Sequence, residues 1–243
     1  MKTYRIRPLP LISFENDMSV FTYRFNYGKR FEMPVYCWYI EGADQHILVD
    51  TGADVETTLK FRGVAAKEIA TFDQALAGLG LRPEDIDIVI QTHLQWDHCV
   101  HTSRCKKARV IAAERELTFA LAPHPILAPT YKKDLLRDLR FTLVKGHYEV
   151  APGIEIIPAP GHSPGTQAVS VNTEQGKAVI TGFCCIRQNF EPPEEVRDFL
   201  PVIAPGIHLD AVEAFETALR IKHLADILIP MHDPAYLNVQ SIP

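Results

Sequence analysis

Between residues 91 and 101 the chain reads QTHLQWDHCVH, which sets His93, Asp97 and His98 within a few positions of one another. Imidazole nitrogens and a carboxylate oxygen are borderline ligands that suit Zn²⁺, with Fe and Mn as runners-up. Asp97 and His98 are adjacent, so on regular structure their side chains diverge. Such a spacing serves either two neighbouring metals or one metal plus a partner that orients a ligand. One segment does not complete a coordination shell, and two others follow its plan. IDIVIQTH (86–93) is an apolar run ending in polar groups, as in a strand buried on both faces. The apolar IEII leads into PAPGHSPGTQ (158–167), which carries His162, and ILIP leads into MHD, which carries His232. Loops at the exits of buried strands gather at one edge of a layered α/β protein. His93, Asp97, His98, His162 and His232 therefore form the candidate metal set. His46, His101, His124, His147, His208 and His223 read as surface or hydrogen-bonded histidines.

The elements that must position these loops follow from pattern. VYCWYIEG (35–42) and HILVDTG (46–52) read as strands joined at Gly42-Ala43-Asp44. A helix is expected over 68–80, with Ile69, Phe72, Leu76 and Leu79 near a 3.6-residue period. ARVIAAERELTFAL (108–121) passes from strand to helix, and the proline-broken 122–133 reads as a surface loop. Strands return over 141–165, 167–173 and 178–186. The last helix spans 208–224, with Asp210 as its cap and Val212, Phe215, Leu219 and Lys222 along one face, before a final strand in 225–233. Both halves run strands first and helix last, as in a duplicated β-then-α unit with two packed sheets and helices outside. No linker divides the chain, so 1–243 reads as a single domain.

Composition bounds the rest. Apolar residues make up 47% and charged residues 23% of 243, an ordinary globular balance. The net charge is -5 with no Lys/Arg block, which argues against a nucleic-acid partner. No apolar run approaches the roughly 20 residues needed to span a bilayer, and the N-terminus reads as mature protein rather than a signal peptide. Five cysteines cannot all pair, so free thiols in the cytoplasm are expected.

Together, ILVDTGA (47–53), THLQWDH (92–98), PGHSPGTQ (160–167), Thr181-Gly182, QNFE (188–191) and MHD (231–233) resemble the metallo-β-lactamase superfamily, and within it the N-acyl homoserine lactonase-like hydrolases. The resemblance covers nearly the whole chain. It implies an α/β protein, an αβ/βα four-layer sandwich with its metal centre at one edge of the packed sheets. It also implies that Asp50 supports the site from behind. Two positions depart from the family pattern. Gln95 stands where a second histidine belongs, and an amide oxygen is a weaker zinc ligand than an imidazole. The bridging aspartate is replaced at Gly182 or Phe183, and Cys184 follows in a Gly-x-Cys-x-Ile context used by some β-lactamases of the superfamily. Cys184 is thus a candidate ligand, against the alternative of a small buried hydrophobe. A tyrosine that polarises the substrate carbonyl in the lactonases has its place here at Cys185.

The resemblance implies a metal-dependent hydrolase of a small-molecule carbonyl compound: a lactone, ester or cyclic amide. Bound metal supplies hydroxide and polarises the carbonyl. The metal ligands are drawn from His93, Gln95, Asp97, His98, His162, Cys184 and His232, around one or two zinc ions. Asp97, His98 and His232 are the more intact group. Asp97 and His98 are the catalytic pair, with Asp97 shuttling a proton to the leaving group. The aromatic N-terminal region (Phe14, Met18, Phe21, Tyr23, Phe25, Tyr27, Phe31) reads as pocket lining, a dimer contact or core, and relatives suggest a monomer or homodimer. Two other readings stand beside this one: a degenerate, non-catalytic ligand- or partner-binding member of the fold, and a redox or oxygen-consuming iron protein.

Overall fold

The computed structural model describes residues 2–243. The elements in chain order are β1 (Arg5–Asp17), β2 (Arg30–Glu41), β3 (Ile47–Val49), α1 (Val55–Arg62), β4 (Ala66–Glu68), α2 (Phe72–Ala77), β5 (Ile88–Ile90), α3 (Trp96–Cys99), β6 (Arg109–Ala113), α4 (Glu114–Leu121), β7 (Phe141–Val144), β8 (Tyr148–Ala151), β9 (Ile154–Pro158), β10 (Gln167–Thr173), β11 (Gly176–Ile180), α5 (Glu194–Arg197), α6 (Ala211–Leu224) and β12 (Ile227–Ile229). Two sheets result, ordered β4-β1-β2-β3-β5-β6-β7 and β12-β11-β10-β9-β8.

Side-chain alternation makes four layers of them. Ile88 and Ile90 of β5 join Ile154, Ile156, Val169 and Val171 between the sheets. Val89, one residue out of phase, faces Phe72 and Leu76 of α2 on the outer side. Ile157 and Ala168 turn outward likewise, onto Ala218 and Ile221 of α6. The order is helix, sheet, sheet, helix, which is the sandwich expected from the sequence. Among the described residues no helix is long and apolar enough to cross a membrane.

Several local expectations need correction. The helix expected over 68–80 begins only at Phe72. Thr71 caps it, with its hydroxyl accepting from Gln74 N, while Ala66–Glu68 pairs instead with the edge of β1. The strand expected over 178–186 ends at Ile180, where Gly182 adopts a left-handed φ of 77° and the chain turns away. A side chain at Gly182 would strike the Gln167 carbonyl. The last helix buries Ala214, Thr217, Ala218 and Ile221, whereas Val212 stands exposed. Its buried stripe lies about one position off the expected one because small residues allow close approach to the sheet. The 122–133 loop does not simply cover the surface: Leu127 and Tyr131 are buried, and Tyr131 bridges to Gln95.

Strand β1 has no counterpart in the pattern reading, because Pro8 and Pro10 interrupt its signal. They share parity with Ile6, whose N–H points away from β2 to the Ile242 carbonyl. Neither ring therefore removes a β1–β2 hydrogen bond.

Candidate metal centre

The candidate residues leave the sheets at one edge. His93 follows β5, Gln95 caps α3, and Asp97 and His98 lie in its single turn. His162 sits in the turn after β9, and His232 follows β12. Asp97, His98 and His232 offer ligand atoms that all lie within 4.8 Å of one another. His93 and His162 meet beside them, Nε2 to Nε2 at 3.3 Å, and the His93 and His98 rings are 4.0 Å apart between centroids. Gln95 and Cys184 line the same narrow cavity of about 60 Å³, so all seven candidates converge.

Each imidazole has its Nδ1 taken by the protein. His162 Nδ1 donates to the Ile207 carbonyl at 2.7 Å and His232 Nδ1 to the Pro34 carbonyl at 2.9 Å. His98 Nδ1 meets Asp50 Oδ2 at 2.7 Å, and His93 Nδ1 lies 3.1 Å from the Thr92 hydroxyl. These contacts fix the Nε2 atoms as lone-pair donors aimed inward. Two neutral imidazoles cannot hydrogen-bond through a pair of lone pairs. The 3.3 Å approach of His93 and His162 is repulsive unless a cation lies against both. The donor set therefore fits a metal ion, and it fits zinc by ligand type.

The electrostatics agree. Burial pulls the His93 imidazole well below its ordinary range, and the neighbouring imidazoles add to the effect. Burial brings His162 and His232 each to about 4. Burial also opposes charge on His98, but Asp97 and Asp50 outweigh it and the net direction is up. Three imidazoles are thus held neutral and ready to ligate. Burial pushes the Cys184 thiol well above its usual range, a tendency that a bound cation reverses.

Asp50 is the support from behind that the sequence implied. Held in the left-handed region at φ 57°, it accepts from Thr92 N, from the Thr92 hydroxyl and from His98 Nδ1, each at 2.7 Å. Phe183 and Cys185 face the α6 side of the sheet, and Cys185 Sγ lies 3.0 Å from the Thr181 hydroxyl. Cys185 therefore lines no part of the metal cavity, whereas Cys184 does. Gln95 Nε2 is buried without a hydrogen-bond partner.

Two residues escaped sequence reasoning. Glu116 is buried in α4 and accepts from Leu94 N at 2.9 Å, Tyr131 OH at 2.9 Å and Ser163 OH at 2.5 Å, tying together the loops of His93 and His162. Nothing in the sequence set it apart from Glu114, which shares the first turn of the helix. Asn189 accepts from Ile186 N and donates to the carbonyls of Phe21 and Ile203, fixing the loop behind Cys184.

The other histidines stand apart. His46 pairs with Tyr39 OH, His101 stacks on Phe72, and His208 meets Tyr23 edge-on. His124 accepts from Ile126 N, and His147 and His223 are exposed. The N-terminal aromatics divide. Phe14 lines the cavity and Phe21 touches His232, while Tyr23 and Phe25 line a separate groove with Val202 and Phe215.

Residues 30–232 match the family described as the Metallo-beta-lactamase superfamily. The N-acyl homoserine lactonase AiiA of Bacillus thuringiensis subsp. kurstaki is 29% identical over 190 residues, 73% of this chain and 74% of that protein. The N-acyl homoserine lactonase AiiB of Agrobacterium fabrum is 27% identical over 186 residues, 67% of each. Among solved structures, an N-acyl homoserine lactone hydrolase with the product N-hexanoyl-L-homoserine bound at its catalytic metal centre superposes with a TM-score of 0.78. Identity to it is 25%, over 97% of this chain and 95% of that one.

Proposed function

The chain belongs to the metallo-beta-lactamase superfamily, and from that premise we propose that it is a zinc-dependent hydrolase that opens a lactone, ester or cyclic amide, lactones first. One observation carries the reading: four imidazoles have Nδ1 engaged and Nε2 directed to one small cavity that also holds Asp97. The lactonases among its relatives support lactones as the first substrate class.

Asp97, His98 and His232 would hold one ion, three protein ligands as in catalytic zinc sites. His93 and His162 would hold a second, with Gln95 as a weaker amide ligand, and Cys184 is the thiol within reach. Bound zinc lowers the pKa of water toward neutrality and polarises a carbonyl. In hydrolysis the water oxygen bonds to the carbonyl carbon, the ring C–O bond breaks, and the leaving alkoxide takes up a proton. Asp97, which lines the cavity, would carry that proton. Asp50 and the Pro34 and Ile207 carbonyls keep the imidazoles in the ligating tautomer throughout. With Cys185 turned to the core, no tyrosine serves the carbonyl from that position.

Both sheets contribute ligands, which supports reading 1–243 as one catalytic domain. Five buried free thiols support a reducing compartment such as the cytoplasm. The test is metal content per chain by mass spectrometry together with lactone hydrolysis by the zinc-loaded protein. Bound zinc with turnover is expected. A protein grown with zinc that holds none and opens no lactone would instead be a ligand-binding member of the fold.

A further inference from the structure

The mouth of the metal cavity carries a cation that the hydrolytic chemistry does not use. Arg62, in the last turn of α1, lines it beside Asn16, Phe14, Met33, Trp96 and Thr130. Its guanidinium donates one hydrogen bond, from Nη2 to Asn16 Oδ1 at 3.3 Å, and among the described residues it meets no carboxylate. Most of its five N–H donors remain for another acceptor. Arg7, Arg30, Arg82, Arg104 and Arg137 each hold a carboxylate, and of the arginines among the described residues that hold none, Arg62 is the one that lines this cavity.

The surroundings reinforce the charge. The Lys60 and Lys132 ammoniums lie over the Phe61 ring at 5.4 and 4.8 Å, and Phe61 packs on Trp96 at 6.1 Å. Asp97 is the one carboxylate lining the cavity, and it belongs to the metal centre. A basic rim is not a general trait of this surface, since the chain carries a net charge of -5.

A planar guanidinium with free donors matches a carboxylate in shape and charge. The cavity beneath it, about 60 Å³, is far below the roughly 300–1,000 Å³ of sites for drug-sized ligands. A small molecule suits that space, and Arg62 at its edge offers the charge that an acid group would meet. Resting on the hydrolase reading above, we infer that the substrate is a small carbonyl compound bearing a carboxylate. Arg62, held by Asn16, binds the acid group while the scissile carbonyl lies at the histidine centre.

Two lactones with one ring separate the possibilities. The γ-lactone of α-hydroxyglutarate carries a carboxylate on the carbon beside the ring oxygen, where γ-valerolactone carries a methyl. The zinc-loaded full chain is expected to prefer the acid in kcat/KM by about tenfold or more, the size of a charge-assisted hydrogen bond. Arg62→Gln should erase that preference while changing γ-valerolactone turnover by less than about twofold, and added salt should shrink the preference in the wild type. Equal kcat/KM for the two lactones, or an equal effect of Arg62→Gln on both, overturns the inference and leaves the hydrolase reading intact. If neither lactone is opened, the hydrolase reading gains no support from this pair and binding takes the place of turnover. Calorimetric titration with α-hydroxyglutarate then decides the role of Arg62. Binding lost in Arg62→Gln supports the carboxylate site, and no binding, or binding indifferent to the substitution, overturns it.

Discussion

Asp50→Asn exposes how the protein sets a tautomer. The position tolerates asparagine, which is among the residues that accept a left-handed φ. The remaining amide oxygen still accepts from Thr92 N, and the Thr92 hydroxyl can rotate to accept from the new amide nitrogen. At His98 the amide N–H₂ faces an Nδ1–H across what was a 2.7 Å bond, donor against donor. The cheaper escape is to move the imidazole proton to Nε2, so that Nδ1 accepts from the amide. A charge-assisted bond of about 1.5–3 kcal/mol becomes a neutral one of about 0.5–1.5 kcal/mol, a loss of about 1–2 kcal/mol. For a chain of this length that lowers the Tm of the metal-free protein by about 2–8 °C. The larger effect falls on zinc. His98 Nε2 now carries a proton toward the ion, and affinity should fall by about 10–100-fold, the usual effect of removing such an orienting partner. Competition titration with a chromogenic chelator measures this beside thermal denaturation of the metal-free form. Zinc affinity within about twofold of wild type, with the fall in Tm present, would refute the claim that Asp50 acts through the His98 tautomer.

Other perturbations probe separate links. Cys184→Ala should lower the zinc bound per chain if the thiol ligates; unchanged content by mass spectrometry assigns Cys184 to packing alone. Glu116→Gln keeps an oxygen for Leu94 N and Tyr131 OH while the Ser163 hydroxyl turns, so a loss under about 1.5 kcal/mol is expected in urea unfolding. Glu116→Ala strands three buried donors and should cost about 3 kcal/mol or more; similar values for the two variants would contradict the network. Gly165→Ala sets a methyl against the Glu116 backbone and should leave little folded protein in the soluble fraction, whereas Gly146→Ala meets no atom within 4 Å and should lose stability only through its positive φ. His101, buried on Phe72, has its pKa lowered first by burial. The unfolded imidazole takes its proton near 6.5 and the folded one only at lower pH, so this stability is full above about 6.5 and is lost as pH falls below it. His93, His162 and His232 add to the slope in the same direction, so His101→Phe should lessen the Tm–pH slope without abolishing it, and an unaltered slope would remove His101 as a contributor.

The four layers were legible through the resemblance and through apolar runs such as Ile88-Val89-Ile90, which call for a covering layer on both faces. Which face meets the second sheet and which meets a helix was not legible, because the side chains on both faces are apolar. The ligand loops were legible because each histidine sits just beyond such a strand. Less visible were features set by partners far along the chain. Pro8 and Pro10 conceal β1, since only the outward parity of their ring nitrogens lets the strand form. The stop at Ile180 depends on the Gln167 carbonyl beneath Gly182. The face that α6 buries is set by Ala214 and Ala218 fitting the sheet rather than by its largest apolar side chains. At the site, pattern placed Cys184 and Cys185 on opposite sides but could not say which faced the histidines, since Phe183 decides that by filling the α6 side.

His93 and His98 leave the seven-stranded sheet, while His162 and His232 leave the five-stranded one. An ion that binds ligands of both kinds is a rivet between the two halves of the sandwich, closing loops that run over much of the chain. Its affinity adds directly to folding stability, by about 4 kcal/mol when free zinc is 1,000 times its dissociation constant. Starvation for the metal would then do more than silence a catalyst: it would loosen the seam between the sheets and offer the chain to proteases, so that abundance in the cell would track the supply of the metal.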